Sequence, residues 1–582
     1  MYSITSLSGA NWKLKDFDER QSLMISQRHN ISPLISKLLN IRNIPDHKID
    51  QFLNPEILNF LPDPFKIIDM SKSIERVIET ILKKKLIGII ADYDVDGATS
   101  AAIICRFFKS INQKFIIKIP NRLKDGYGPN EEILDQMLNS KIDLLLTLDC
   151  GTTSFNIIDK EKFLFDTIVI DHHIQDKNLP KVFSIINPNI HNEKSDYQDL
   201  AAVGVTFLFV LGLRKQLRIK NFFKKNKILE PNLLNYLDLV ALGTVCDVVK
   251  LQNYNRDFVS KGIEIIHKRK NKGITAIIDN SRIHSAPTAS DLGYIIGPQL
   301  NAASRIDNSY LASQLLISED IVEIESISRK LFILNEKRKL IENKMLDEAT
   351  VQALKQNNQN IIIVKGKEWH KGVLGIVASK LVEKFHKPSV VISFNNEYGI
   401  GSARSISSIN FGEIIMDAKN KGLLIKGGGH RMAAGLTISM KKYIQFFDYI
   451  VETFNNYDSS YFDNILYFDS TLTLNEINLD LLENIEKFEP FGSNNPYPQF
   501  IIQNVCIEFA KIIKEKHVLI NFKNNNDILL KGICFNCVDN DLGQNLLNYK
   551  SKQFHIGCSI KKDIYQGNNQ PQLVVHDAIL IN

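Results

Sequence analysis

The segment Asp92-Tyr93-Asp94-Val95-Asp96-Gly97 sets three carboxylates at alternate positions directly after the apolar run Ile87–Ala91. Like charges packed this closely repel one another, and a divalent cation is the usual remedy. Three more segments end apolar runs in similar chemistry: Leu148-Asp149-Cys150-Gly151, Ile170-Asp171-His172-His173, and Leu239 to Cys246 followed by Asp247. Carboxylates with one or two imidazoles favour Mn²⁺ or Mg²⁺ over a thiolate-type zinc site. A pair of such ions stabilises an in-line displacement at phosphorus and activates a water. Any one of these segments also fits a solvated acidic turn. Four of them in one chain point to a single site.

The elements that must position these residues alternate. Residues 73–84 read as helix, 86–91 as strand, 98–110 as helix, 115–119 as strand, 131–138 as helix, and 144–148 and 167–170 as strands. Strands alternating with helices predict an α/β fold with a parallel sheet. Right-handed crossovers then line the C-terminal strand ends along one edge, where open sheets bind ligands. The run ending at Asp247 is expected to deliver its carboxylate to that same edge.

The chain has 582 residues, too many for one core, so three or four domains are expected. A net charge of +6 leaves any strong attraction to nucleic acid to local patches. The seven cysteines are odd in number and widely spread, which argues against a disulfide framework and fits a reducing compartment. Cys534-Phe-Asn-Cys537 is a lone CxxC within an apparent strand, without a second pair to complete a zinc site. The start of the chain lacks a basic, then apolar, leader pattern. The apolar run 200–213 is short for a membrane span. A cytoplasmic protein is expected.

The four acidic and histidine segments resemble the motifs of the DHH phosphoesterase superfamily. Within it the chain is similar, over nearly its full length, to the bacterial single-strand-specific 5′→3′ exonucleases. Further segments carry the resemblance: Asn121-Arg122 through Gly126-Tyr127-Gly128, Pro298-Gln299-Leu300-Asn301 to Arg305, Trp369-His370-Lys371-Gly372, Gly401-Ser402-Ala403-Arg404, Gly427-Gly428-Gly429-His430, and Pro490 to Pro496. The resemblance implies that Asp94, Asp96, Asp149, His172 and Asp247 ligate two divalent ions, with Asp92 and His173 in or beside the coordination sphere. His173 would face the scissile phosphate, and Asp171 would orient an imidazole. Arg122, Tyr127 and Arg305 would line the DNA path, Arg122 as a phosphate fork and Tyr127 as a stacking face. Gln299 stands where the family usually has Arg, which weakens a phosphate contact there and leaves a surface role as the alternative. In Gly492-Ser-Asn-Asn-Pro496 the chain also departs from the family's usual Gly-x-Gly-Asn-Pro.

Beyond the first domain, residues 318–356 carry Glu, Lys, Leu and Ile at helical spacing and read as one long helix or a broken pair, with Glu342 on a wet face. The second domain offers a turn at 399–405 and a glycine loop at 426–430, whose Ser402, Arg404 and His430 could hold an anion. The resemblance makes this the DHHA1 domain and its pocket a grip for the terminal phosphate. Residues beyond about 460 are strand-rich and fit a small barrel, which the resemblance makes an OB-fold. Arg214 to Lys227 carries seven basic residues and two Phe, and reads as a solvated loop more readily than as a DNA grip.

The expected organisation is an N-terminal extension (1–50) packed on a DHH catalytic domain (51–317), then a connecting helix (318–357), a DHHA1 domain (358–456) and an OB-fold (457–582). The expected activity is 5′→3′ exonucleolysis of single-stranded DNA to mononucleotides by a monomer serving repair and recombination. Whether a helicase or a single-strand-binding protein feeds it stays open. Two rival readings are a phosphodiesterase of the same superfamily acting on cyclic dinucleotides or short oligoribonucleotides, and a non-catalytic single-strand-binding scaffold. The length and C-terminal barrel argue against the first, and the intact acidic set against the second.

Overall fold

The computed structural model describes residues 5–55, 61–159, 163–175, 178–281, 283, 285–356, 358–524, 527–563 and 569–581. The first four residues of the stretch read for a leader lie outside these. The chain divides into two compact units. The larger is formed by residues 57–457 with 492–494. The other gathers residues 1–56, 458–491 and 495–582.

In the larger unit five parallel strands pair in the order Phe115–Lys118, Ile87–Ala91, Leu144–Leu148, Asp166–Ile170 and Ser184–Ile186. Ile87–Ala91 and Leu144–Leu148 are buried throughout, which is why they read as unbroken apolar runs rather than alternating ones. One core packs Met70–Leu82, Val95–Ser110 and Ala202–Ile219 on the sheet, and a second core packs Glu131–Asn139 on it. From Ile87–Ala91 the chain moves to one side to form Phe115–Lys118, then returns to form Leu144–Leu148 on the other. The reversal opens a crevice at the carboxyl ends of these two strands, where Asp92 and Asp149 lie.

The apolar run before Asp247 is not a strand of this sheet. It is the helix Leu237–Cys246, packed against Val95–Ser110 and Asn253–His267. A short run that is apolar all round does not distinguish a buried helix from a buried strand. The basic stretch 214–227 is also not a loop. It finishes the helix Ala202–Ile219 and forms Phe222–Asn226, anchored by buried Phe222 and Phe223, while Arg218 pairs with Glu230.

A single 34-residue helix, Ile321–Leu354, leads to the second sheet. Glu342 is not on its wet face. Its side chain is 5% exposed and holds Arg338 at 2.8 Å and Lys380, which lies on the helix Leu374–Phe385. The second sheet runs Lys426–His430, Ala433–Ser439, Tyr398–Arg404, Ser389–Asn395, Ile362–Lys367. The expected turn at 399–405 and loop at 426–430 are therefore mostly ladder strands, their β-pattern masked by glycine.

In the other unit six strands form the C-terminal sheet, and Phe500–Ile513 pairs with Gln553–Asp563 to close it into a barrel. The N-terminal segment packs here rather than on the DHH domain. Asn11–Leu14 pairs in parallel with Ile465–Phe468, and Ile25, Ile35, Leu38 and Leu39 enter the barrel's core. Fully buried Asp469 accepts from Lys15 Nζ at 3.0 Å and from the Gln499 amide at 2.8 Å, and lies 3.7 Å from Arg42. Removing one partner of a buried pair strands the other charge. Asp469→Ala should therefore lower the unfolding free energy by about 3–5 kcal/mol, measured by urea denaturation.

Candidate metal centre and substrate pocket

The turn after Ile87–Ala91 is compressed. Asp94 caps the helix Val95–Ser110 by accepting from the Gly97 amide at 3.1 Å. Any side chain at Gly97 would put its Cβ 2.4 Å from the Asp92 carbonyl oxygen, so only glycine lets the loop fold back on the strand end. After Leu144–Leu148, Asp149 adopts φ 58°, a left-handed conformation that Asp tolerates, and Gly151 follows at φ 119°. Asp96 turns inward. Its two oxygens accept from the amides of Ala202 and Val203 at 2.7 and 2.8 Å, capping a helix whose own Ala201 offers no side-chain acceptor.

These turns bring every expected ligand together. His172 Nε2 stands 3.5 Å from an oxygen of Asp149, 3.5 Å from Asp247 and 3.8 Å from Asp96. Three groups each gather donor atoms within 4.8 Å: Asp92, Asp94 and Asp149; Asp96, His172 and Asp247; and Asp149, His172 and His173. Asp92 Oδ1, Asp149 Oδ1 and His172 Nε2 are buried without a hydrogen-bond partner. Buried polar atoms are normally satisfied. Orphaned oxygens beside an orphaned imidazole nitrogen fit a hard divalent cation.

The electrostatics agree. Burial, reinforced by neighbouring carboxylates, raises Asp92 and Asp149 well above the usual carboxylate range, Asp96 to about 7 and Asp247 to about 9. Burial, with His173 adding to it, lowers His172 to about 4, which leaves the neutral imidazole that a metal requires. Burial also acts to lower His173, yet its 2.7 Å bond from Nδ1 to Asp171 prevails and raises it to about 9. Asp171 in turn is held below its ordinary value by that imidazole, against its burial. It orients the pair. Its Oδ1 also accepts from the amides of His172 and His173, and its Oδ2 from Thr152.

Tyr127, expected as a stacking face, keeps its ring partly exposed while its hydroxyl turns to the metal centre. Its hydroxyl donates to the Asp149 carbonyl and lies 3.1 Å from His173 Nδ1, with the two rings edge to face. It braces the histidine. Gln299 is buried rather than on the surface and donates to Ser281.

A basic cluster lies in the same unit. The Arg122 guanidinium sits over the Tyr93 ring, 4.8 Å from its centroid. Arg305 donates to the Gly372 carbonyl at 3.0 Å. Burial, and then Arg122, Arg338 and Arg404 around it, lower Arg305 to about 9. Four guanidiniums so arranged are stabilised by an anion such as a phosphate. Arg404 donates to Ser402 Oγ at 2.9 Å. His430 lies two strands away on the same face, through the rung Arg404–Ala433–His430. The next rung, Ser402–Gly435–Gly428, is bare, since a Cβ at either glycine would meet nothing within 4 Å.

Sequence reasoning missed Tyr93 and Arg338. Tyr93 stands inside the first acidic motif and could have been read with it. Arg338 is one basic residue among many on a long helix and carries no local signal.

Comparison with known proteins agrees with this geometry. The DHH family N-terminal domain matches residues 86–244, the DHHA1 domain residues 358–456 and the RecJ OB domain residues 468–577. The single-stranded-DNA-specific exonuclease RecJ of Dickeya dadantii is 32% identical over 87% of this chain and 89% of its own length. That of Haemophilus influenzae is 30% identical over 97% and 99%, and that of Escherichia coli 31% identical over 94% and 95%. A crystal structure of Thermus thermophilus RecJ with Mn²⁺ shares the fold, with TM-score 0.80 and 23% identity over 97% of this chain and 79% of that one. A second, exonuclease RecJ bound to manganese, is 28% identical over 67% of this chain and 96% of that one, with TM-score 0.58.

Protonated carboxylates must lose their protons before they can hold a cation. Apparent Mn²⁺ affinity should therefore rise as pH climbs through the values of Asp96 and Asp247, about 7 and about 9, with proton release visible by calorimetry in buffers of differing ionisation enthalpy. The metal-free fold binds more protons here than the unfolded chain does, so its stability should fall as pH rises across that window. Saturating Mn²⁺ should reverse this fall, read as Tm against pH.

Proposed function

The chain belongs to the RecJ family of single-stranded-DNA-specific exonucleases, and from that premise we propose that it cleaves single-stranded DNA from the 5′ end, releasing mononucleotides with two divalent ions, Mn²⁺ or Mg²⁺. The observation that carries this reading is the convergence of orphaned, buried Asp92, Asp149 and His172 atoms at the crevice of a parallel sheet. Asp92, Asp94, Asp96, Asp149, His172 and Asp247 would hold the ions. When bound, the ions neutralise charge on the reacting phosphate and acidify the attacking water.

The remaining steps fall to the protein's own groups. Asp171 and the Tyr127 hydroxyl both engage His173 at Nδ1, which leaves Nε2 for the scissile phosphate. As an imidazolium, His173 donates a hydrogen bond to that phosphate as charge builds on it. Arg122, Arg305, Ser402, Arg404 and His430 would grip the phosphate at the 5′ end, which fixes polarity by seating one end of the strand. The barrel would hold the trailing strand through stacking and basic side chains.

No helix among the described residues is long and apolar enough to cross a membrane. We assign the protein to the cytoplasm, acting as a monomer in DNA repair and recombination, with a helicase and a single-strand-binding protein supplying the strand.

One oligonucleotide labelled separately at each end tests the reaction. With Mn²⁺ the 5′ label should appear first, as mononucleotide. Asp149→Ala should cut the rate by more than about 100-fold, the upper range for losing only a supporting contact to a metal site. Release of the 3′ label first would overturn the polarity, and cleavage of dinucleotides alone would favour the small-substrate reading. Arg404→Ala should raise KM roughly 10- to 100-fold, as expected for a lost charge-assisted hydrogen bond, with little change in kcat. Gly435→Val should do the same at unchanged Tm, because the added side chain meets open space in the fold and suits a strand, but narrows the approach to Ser402 and Arg404.

A further inference from the structure

The last strand of the catalytic sheet, Ser184–Ile186, ends in Asn187-Pro188-Asn189, a segment without an ionisable group. Its position nonetheless matches that of the acidic segments, at the carboxyl end of a parallel strand. Asn187 is fully buried. Its Nδ2 donates to the His173 carbonyl at 2.8 Å and to Thr152 Oγ1 at 2.9 Å, and its Oδ1 accepts from the Asn189 amide at 2.8 Å. The Asn189 Nδ2 donates to the His172 carbonyl at 2.5 Å and to the Gln198 carbonyl at 3.2 Å.

We propose that Asn187 and Asn189 are positioning residues that bracket the histidine pair and lock it in register with Asp149. The two amides take one main-chain carbonyl of the pair each. Thr152 closes the bracket, because it lies three residues after Asp149, accepts from Asn187 and donates its own amide to Asp171 Oδ2 at 3.0 Å. Three strand-end segments that are separate in sequence are thus joined by hydrogen bonds that involve neither metal nor substrate. Asp171 sets the ring of His173, while the asparagines set the backbone from which both rings project. A carboxylate at either position would lack the N–H donors and would add negative charge to a centre already rich in it. An alanine would leave a part-buried carbonyl without this partner and the histidine backbone free to shift. Ligands left loosely supported lose metal affinity and rate together.

This inference rests on reading Asp149 and His172 as metal ligands and His173 as the phosphate donor beside them. Asn189→Ala is the primary test, because Asn189 is only half-buried and its loss spares the core, with Asn187→Ala and Thr152→Val beside it. The expected result is a roughly 10- to 100-fold rise in the Mn²⁺ concentration for half-maximal activity, a similar fall in kcat, and an unchanged KM for single-stranded DNA. Mn²⁺ affinity measured by calorimetry without DNA should weaken in parallel, a readout that loss of general stability at constant fold does not produce. Asn187→Ala combined with Thr152→Val should cost less than the product of the single effects, because both break one bond. His172→Ala serves as the control. If it abolishes activity while Asn189→Ala keeps native metal affinity and kcat, the bracket is overturned and the site reading stands. If His172→Ala is itself active, the site reading fails first. Should Asn187→Ala fail to fold, Asn189→Ala and Thr152→Val still decide the matter.

Discussion

Mutual repulsion among buried carboxylates is the constraint on which the rest of this structure depends. Asp92, Asp94, Asp96, Asp149 and Asp247 are brought into one crevice together with His172. Burial disfavours their charged forms and carboxylates at such distances resist ionising together, so several stand above their ordinary range. A fold that keeps this arrangement has to restrain each group separately and reserve the space between them for a countercharge.

The restraints come from backbone geometry. Asp94 and Asp96 are tied to amides at two different helix starts, so two groups that repel each other are each fixed by an N-terminal cap. Asp149 is fixed by a left-handed turn, and Asp247 by the end of a helix buried on every side. The histidines are set by Asp171 from one side and by asparagine amides from the other. Every one of these devices uses main-chain groups.

The larger unit also separates charge by sign. Its parallel sheet collects the acids, while Arg122, Arg305, Arg338 and Arg404 come from a loop, two helices and the second sheet. Arg122 joins the two regions, lying over Tyr93 and acting on Asp92 through its charge. A phosphodiester strand needs both kinds of environment, cations to hold its phosphates and a metal-loaded acidic centre to break one. The connecting helix is tied to Leu374–Phe385 through Glu342, which bridges Arg338 and Lys380.

Much of this was legible in the sequence because it is local. A buried parallel strand must be a short apolar run, and a ligand at its end must follow at once, so Asp92, Asp149 and His172 announced themselves by position. The alternation of helix and strand, the long helix and the C-terminal barrel strands followed from the same periodicities. What the tertiary structure alone decided are relations between distant segments. The apolar run before Asp247 became a helix because it is surrounded by others, which periodicity cannot register. The N-terminal segment joined the barrel's core because strand pairing with residues 465–468 is non-local. The capping of Ala202–Ile219 by Asp96, the hydroxyl of Tyr127 on His173 and the asparagine bracket join residues tens of positions apart. The sequence therefore determined which groups are offered to the site, since residue type and local period are written in it. Only the folded chain decided which amide or hydroxyl holds each group, because hydrogen-bond partners are chosen by distance in space.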